Sequence, residues 1–323
     1  MLTKLLFCLL ITSNLYASSS NNTNQTIIKL PLLDELIEKE WHSFNLLAGK
    51  NLRSFSETSL KFPENQKSVF YPFGGADIVY PILLYPKATD FVLVGLEFAG
   101  DWHKFNFNQQ KALPKTISLL KRSFFITMQM SKDFSKNDGV LPSLLLQLGM
   151  LGVKQVTISD PDIKNKGVKM SFVQDGIDKS VTYYQTNLQN NAFDTGFFEK
   201  LHKKMDNFSC FLKSTSYSLH QKGFEKISNF IEQKANSIVQ DDSGIPLKKL
   251  LQNNFKVQTF GSYQKPYGVE FQGYIQKDLK ELTKNSKTKL PFCFGYGCRV
   301  GAPRVMVFAS KSSESAITKK DQP

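Results

Sequence analysis

Apolar positions along the chain alternate between a helical period and a strand period, and that alternation predicts the fold. Leu30 to Leu47 carries helical apolar spacing. Ser68 to Phe73 reads as a strand broken by Gly74 and Gly75, and Ala76 to Tyr85 as a short helix closed by Pro86. Asp90 to Leu96 is an unbroken apolar run, the pattern of a strand buried on both faces. Lys111 to Phe134 follows a long amphipathic period, Leu141 to Leu151 a second helical one, and Lys154 to Ser159 is extended. Val168 to Asp175 and Ser180 to Thr186 alternate about Asp175-Gly176, a dipeptide suited to the left-handed turn of a β-hairpin.

The second half continues in the same way. Phe197 to Met205, Phe224 to Ala235, Pro246 to Gln252 and Gly273 to Thr283 read as helices. Cys210 to Ser214, Ser237 to Gln240 and Phe255 to Phe260 read as strands, and Leu290 to Phe294 is expected to pair with Arg304 to Ser310. No Gly/Ser/Pro linker and no internal repeat divides the chain. The expectation is one α/β domain over residues 30–311, a single mixed, largely parallel sheet covered by helices, with the hairpin at Gly176 as an insertion. Residues 312–323 read as a disordered tail.

The N-terminus departs from this pattern. Met1 to Ala17 places Lys4 before the apolar run Leu5 to Ile11, and Leu15-Tyr16-Ala17 offers a cleavage site, the order of a secretory signal peptide. The run is too short for a membrane anchor, which needs about 20 apolar residues. Cys8 lies inside the run, which argues against lipoprotein processing. Residues 18–29 read as a disordered polar leader. The expected product is exported, periplasmic or secreted, with no transmembrane segment: Leu141 to Val153 is apolar but short and interrupted by Gln147.

Composition adds a charge. The 323 residues carry 41 Lys+Arg against 28 Asp+Glu, a formal +13. Losing Met1 to Ala17 removes only Lys4, so 40 bases against 28 acids leave the mature chain at about +12. Such a chain is drawn to an anionic or envelope polymer. The lysines are scattered and no RNA-binding aromatic signature accompanies them, so nucleic acid is not an expected partner.

Three blocks carry candidate chemistry. In the first, Tyr71 to Asp77 (YPFGGAD) forms a strand-to-helix turn and Glu97 ends the following strand, 23 residues after Gly74. That order resembles the glycine turn and ribose-binding acid of Rossmann-like, doubly wound methyltransferases and dehydrogenases, although G-x-G-x-x-G is absent. In the second, Gln240 to Pro246 (QDDSGIP) joins a strand to a helix. Asp242 or Ser243 suits an N-cap there, while two adjacent acids exceed what one cap requires. In the third, Lys213 to His220 (KSTSYSLH) follows an extended segment and holds one of only four histidines. No HExxH or CxxC pair fixes a metal; no motif requires a cofactor, and a divalent cation is compatible with the acids.

Taken together with GLEFAG, FGSY and FCFGY, these blocks resemble a family of exported bacterial proteins of unknown function with Y-P-F-S-G-P-D, G-L-E-P-x-G, K-x-x-S-Y-x-x-H and Q-D-D-S-G-I-P blocks. The resemblance spans roughly Leu30 to Ser310 and departs at Gly74, Ala76 and Phe98, all turn positions. It implies no activity.

Because ligands bind outside the carboxyl ends of parallel strands, the acids at the strand ends are expected to share one cleft. The leading expectation is a hydrolase acting on an envelope or extracellular substrate. His220, Asp241 and Asp242 would perform acid–base work, and Asp77, Glu97, Lys213, Tyr217 and Ser243 would bind substrate or a cation. The alternatives are a non-catalytic envelope binding or interaction protein and a Rossmann-like nucleotide-binding enzyme. Cys210, Cys293 and Cys298 remain after the signal is removed. If Leu290 to Tyr296 is extended, Cys293 and Cys298 stand about 16 Å apart, so no bond between them and three inert thiols are expected.

Overall fold

The computed structural model describes residues 25–30, 35–45, 49–63, 65–107, 112–114, 116–117, 138–284, 286, 288–296 and 305–311. Residues 1–17, expected to be a signal peptide, residues 18–24 of the expected leader, most of the Lys111 to Phe134 period, Cys298 and residues 312–323 lie outside these residues.

Ten strands among the described residues form one sheet: β1 (Gln25–Lys29), β2 (Ser68–Pro72), β3 (Asp90–Gly95), β4 (Gln155–Ser159), β5 (Gly167–Gln174), β6 (Ile177–Gln185), β7 (Phe208–Leu212), β8 (Ser237–Gln240), β9 (Phe255–Gly261) and β10 (Val305–Lys311). Their spatial order is β1-β4-β5-β6-β3-β2-β7-β8-β10-β9. The five central strands, β6, β3, β2, β7 and β8, run parallel. Every other pairing is antiparallel. The sheet is therefore mixed but not largely parallel as expected: five of its nine pairings are antiparallel, because strands joined by hairpins and reversals build both margins, and the parallel pairings are confined to the centre.

Side-chain alternation explains why helices cover both faces. Val69 and Tyr71 of β2 join one apolar cluster and Phe70 the other. The first cluster packs under α1 (Glu35–Phe44), α2 (Lys50–Ser59), α3 (Val79–Leu84) and α4 (Leu141–Met150). The second packs under α5 (Thr195–Met205), α6 (Glu225–Lys234), α7 (Leu247–Gln252) and α8 (Lys277–Lys284). Strands β2, β7 and β8 are buried along their whole length, as continuous apolar runs require.

Several expectations need correction. The Asp175-Gly176 hairpin forms, with φ of +52° and +75° at its turn, but β6 pairs directly with β3, so the hairpin belongs to the sheet and is not an insertion. Residues 25–29, assigned to the leader, form an antiparallel edge strand on β4, where Ile27 and Ile28 suit extended backbone. Helix α2 was not anticipated; its only large apolar anchors are Leu52 and Phe55. Leu290 to Phe294 is not a strand, and β10 pairs with β8 and β9 instead. Gly295, at φ +82°, turns the chain there.

The topology places a reversal at the centre. From β2 the chain proceeds to β3 on one side, while β7 and then β8 lie on the other. The turns leaving β2 and β7 therefore flank the point where the winding changes direction.

Candidate functional site

The turn after β2 is held from three sides. Phe73 adopts φ +63°, the Gly74 amide donates to the Val94 carbonyl of β3 (3.3 Å), and the Asp77 amide donates to the Gly74 carbonyl (3.1 Å). Gln147, the polar interruption in α4, reaches across: its Oε1 accepts the Ile78 and Val79 amides (2.9 and 3.3 Å) and its Nε2 donates to the Ala76 carbonyl. A side chain thus satisfies the first donors of α3, which has no side-chain cap of its own.

Asp77 points inward to Lys213, at the end of β7. The Nζ–Oδ2 distance is 2.5 Å, and the two side chains are 2% and 6% exposed. The Lys213 ammonium also lies 3.6 Å from the centroid of the Tyr80 ring, a cation–π contact, and Tyr71 Oη donates to Asp77 Oδ2 at 3.5 Å. Burial pulls the Lys213 pKa down, opposed by Asp77 and then Asp241. Burial, reinforced by Asp77, pushes the Tyr71 phenol well up.

Asp241 follows β8 and binds two turns together. Its Oδ2 accepts the Ser214 amide (2.8 Å), and its Oδ1 accepts the Ser243 amide (2.9 Å) and hydroxyl (2.6 Å). The Ser243 hydroxyl in turn accepts the Thr215 amide at 2.7 Å. Burial raises the Asp241 pKa against these hydrogen bonds and the Lys213 charge. Within the loop leaving β7, Ser214, Ser216 and Tyr217 all adopt left-handed φ, between +54° and +58°. Tyr296 secures this loop from outside: its hydroxyl donates to the Ser214 carbonyl (3.0 Å) and shares a 2.5 Å hydrogen bond with the Ser216 hydroxyl. Gly295 lets Tyr296 approach, because a Cβ there would stand 2.6 Å from Asp241 Oδ2.

Asp242 turns the other way and accepts the Tyr217 hydroxyl, while its backbone carbonyl accepts Gln276 Nε2 at 2.9 Å. The Tyr217 ring stacks on Tyr274 with centroids 5.2 Å apart and tilts against Phe271 at 4.8 Å. Burial, and next Asp242, push its phenol far up. His220 packs edge-on against Tyr217 and Tyr274. Burial lowers its pKa to about 4, despite a hydrogen bond to the Gly244 backbone, and its buried Nε2 meets no protein partner. Asp242 also lines a cavity of about 420 Å³ together with Tyr263, Gln264, Pro266, Tyr267 and Gln272.

Glu97 sits one strand beyond Asp77, after β3. Tyr183 of β6 donates to its carbonyl (2.8 Å) and to its Oε2 (3.2 Å). Its carboxylate covers the glycine turn, 3.4 Å from where a Cβ of Gly75 would be; Gly75 itself has φ +47°. Burial raises the Glu97 pKa.

Asp77, Lys213, Asp241 and Ser243 therefore form one connected polar network, and Asp242 with Tyr217 extends it. Glu97 binds Tyr183 on the far side of the glycine turn, and β3 and β8 are three strand spacings apart, about 14 Å. His220 is held by backbone and rings, while Asp241 is taken up by Ser214 and Ser243. Among the described residues no group of three His, Cys, Asp or Glu side chains is placed to hold a metal ion. Among them too, no helix is long and apolar enough to cross a membrane. Sequence reasoning missed Tyr71, Tyr80, Tyr183, Tyr296 and Gln147, whose common signal is a polar group within an otherwise apolar run.

The cysteines correct the last expectation. Cys293 is disulfide-bonded, with its partner outside the described residues, and Cys210 is a free, buried thiol. The expectation of three inert thiols rested on an extended Leu290 to Tyr296, which the turn at Gly295 removes.

No family model and no curated protein matches the chain. Among solved structures, it is similar to the plantazolicin methyltransferase BpumL in complex with SAH, at 7% identity and a TM-score of 0.30, covering 86% of this chain and 91% of that one.

Proposed function

We propose that the chain is an exported envelope protein that binds its target without hydrolysing it, on a Rossmann-like, doubly wound centre. One observation carries this reading: each acid at the strand ends is engaged by donors that hold a turn in place, and among the described residues no carboxylate is hydrogen-bonded to His220. A general base must reach the proton it abstracts, and Asp241, enclosed by Ser214 and Ser243, serves architecture instead. Strained non-glycine backbone on both sides of the winding reversal supports a pre-organised surface there, since such residues persist only where surrounding structure holds them. The signal-like N-terminus, the disulfide at Cys293 and the basic charge support an oxidising, anionic envelope. They also support kinship with the exported family that the sequence blocks resemble.

Co-sedimentation of the purified mature chain with isolated cell-wall sacculi tests the reading. The expected result is salt-sensitive binding, with no soluble fragment released and no change in His220→Ala. Fragment release by the wild type that His220→Ala abolishes would overturn it in favour of the hydrolase.

A second reading has its own observation. Glu97 covers the glycine turn at the end of the adjacent parallel strand, where dinucleotide folds place their ribose-binding acid. A rise in melting temperature with adenosine or S-adenosylhomocysteine, lost in Glu97→Gln, would support a nucleoside ligand; no rise would dismiss it.

A further inference from the structure

The cavity beside Asp242 has a chemistry of its own. Its volume of about 420 Å³ is at the small end of ligand pockets, enough for one or two rings and too little for a dinucleotide. Tyr263 and Tyr267 supply flat apolar walls, with Tyr267 39% exposed and Val269 90% exposed at the margin. Ser262, Gln264 and Gln272 add neutral polar groups, and Asp242 one acidic residue, to the lining.

The walls are built, not incidental. Gln272 donates its amide to the carbonyls of Pro266 (3.0 Å) and Gly268 (2.8 Å), closing the loop on itself. Tyr263 Oη accepts the Gln276 amide (3.2 Å), and Gln276 Nε2 reaches the Asp242 carbonyl. The pocket wall is thereby tied to the turn that carries Asp242.

The lining selects among ligands. A purely apolar molecule would desolvate Gln264 and Ser262 with no hydrogen bond in return. One acid, Asp242, and one base, Lys265, leave the lining without net charge, so a phosphate gains no advantage there. A neutral ring bearing hydroxyls on its edge and C–H groups on its face satisfies both the amides and the tyrosines. We propose that this pocket binds a neutral sugar residue, either free or as a unit of a glycan. The proposal rests on the envelope-binding reading and names the chemistry that reading would recognise.

Saturation-transfer NMR on the full mature chain tests it, with methyl β-glucoside and methyl N-acetyl-β-glucosaminide as free sugars and a tetramer of N-acetylglucosamine as the polymer arm. Transfer to ring C–H protons is expected, and Tyr267→Ala should weaken binding by about tenfold while Val173→Thr, exposed near the hairpin turn of β5 and outside the pocket lining, leaves it unchanged. Binding of the tetramer alone would identify a polymer unit, and equal binding of the monomers a free sugar. If Tyr267→Ala does not fold, Gln264→Ala reads the same wall. Absence of transfer from every sugar, or transfer that neither variant reduces, overturns the pocket assignment. Sacculus binding that persists in that case leaves the envelope reading standing, and its loss removes both.

Discussion

The Lys213–Asp77 pair offers the sharpest test of the polar centre. Both side chains are almost fully buried, and Lys213 also faces the Tyr80 ring and the Asp241 charge. Removing one partner leaves an uncompensated buried charge, which costs about 3–5 kcal/mol. Lys213→Met should lie at the upper end of that range, because it strands Asp77 and Asp241 together, and Asp77→Asn at the lower end. Replacing both, as Lys213→Met with Asp77→Leu, removes the charges of the pair along with their desolvation but leaves Asp241 without its lysine, so stability should recover to about 2 kcal/mol below wild type. Urea unfolding followed by circular dichroism measures this, with the midpoint shifting at constant slope. Each single variant should also melt roughly 10 °C lower. Single losses below about 1 kcal/mol, or a double variant whose loss equals the sum of the singles, would refute the claim that the pair is buried and coupled.

Other variants probe the surrounding groups. Burial raises the Glu97 pKa, so the folded state holds a proton that the unfolded state has released; stability therefore falls as pH rises from about 4.5 through the raised value. Glu97→Gln should melt higher than wild type at pH 7 and show no such slope; a lower melting temperature at pH 7 would contradict the burial. For His220 the sign is opposite in protonation terms: its pKa falls from 6.5 to about 4, so stability present above pH 6.5 is lost as pH drops toward 4, by roughly 3 kcal/mol in all. An NMR titration placing the His220 midpoint near 6.5 would refute this. Gly295→Ala should destabilise by about 1–3 kcal/mol, since it forces a side chain into left-handed backbone against Asp241, and unchanged unfolding would show that the turn is not packed there. Non-reducing mass spectrometry should give a mass two hydrogens lighter than the reduced chain, with Cys210 unalkylated until denaturant is added. An unchanged mass would refute the disulfide.

The central strands were legible because burial on both faces leaves a local signature. Asp90 to Leu96 and Ser237 to Gln240 are runs with no polar gap to fill, and they fall where expected, within a residue. The antiparallel margins were less legible. Strand β10 is as apolar as a parallel strand, and nothing in its composition says that it lies between β8 and β9. Pairing partner is a property of the whole sheet, and reading Leu290 to Phe294 as extended supplied the wrong neighbour. Helix α2 was missed for a related reason: Ser and Thr outnumber its apolar residues, and two buried side chains suffice to anchor it.

For the site, the sequence placed Asp77, Lys213, Asp241 and Ser243 at strand ends, and adjacency in the sheet brought them together. Their roles depended on donors that spacing does not reveal. Asp241 looked like a second acid beyond the needs of a cap, yet it holds two turns at once, which requires β7 and β8 to be neighbours. The tyrosines complete the argument. A carboxylate buried beside an ammonium needs further donors to satisfy its lone pairs, and a phenol supplies one while burying a ring. Tyr71, Tyr183 and Tyr217 each donate to a strand-end acid, and Tyr80 faces the lysine. Replacing such a phenol by Phe would leave the apolar packing intact and remove only the donor. Tyr217→Phe therefore separates the polar role of the ring from its bulk more cleanly than any substitution of Asp242 itself.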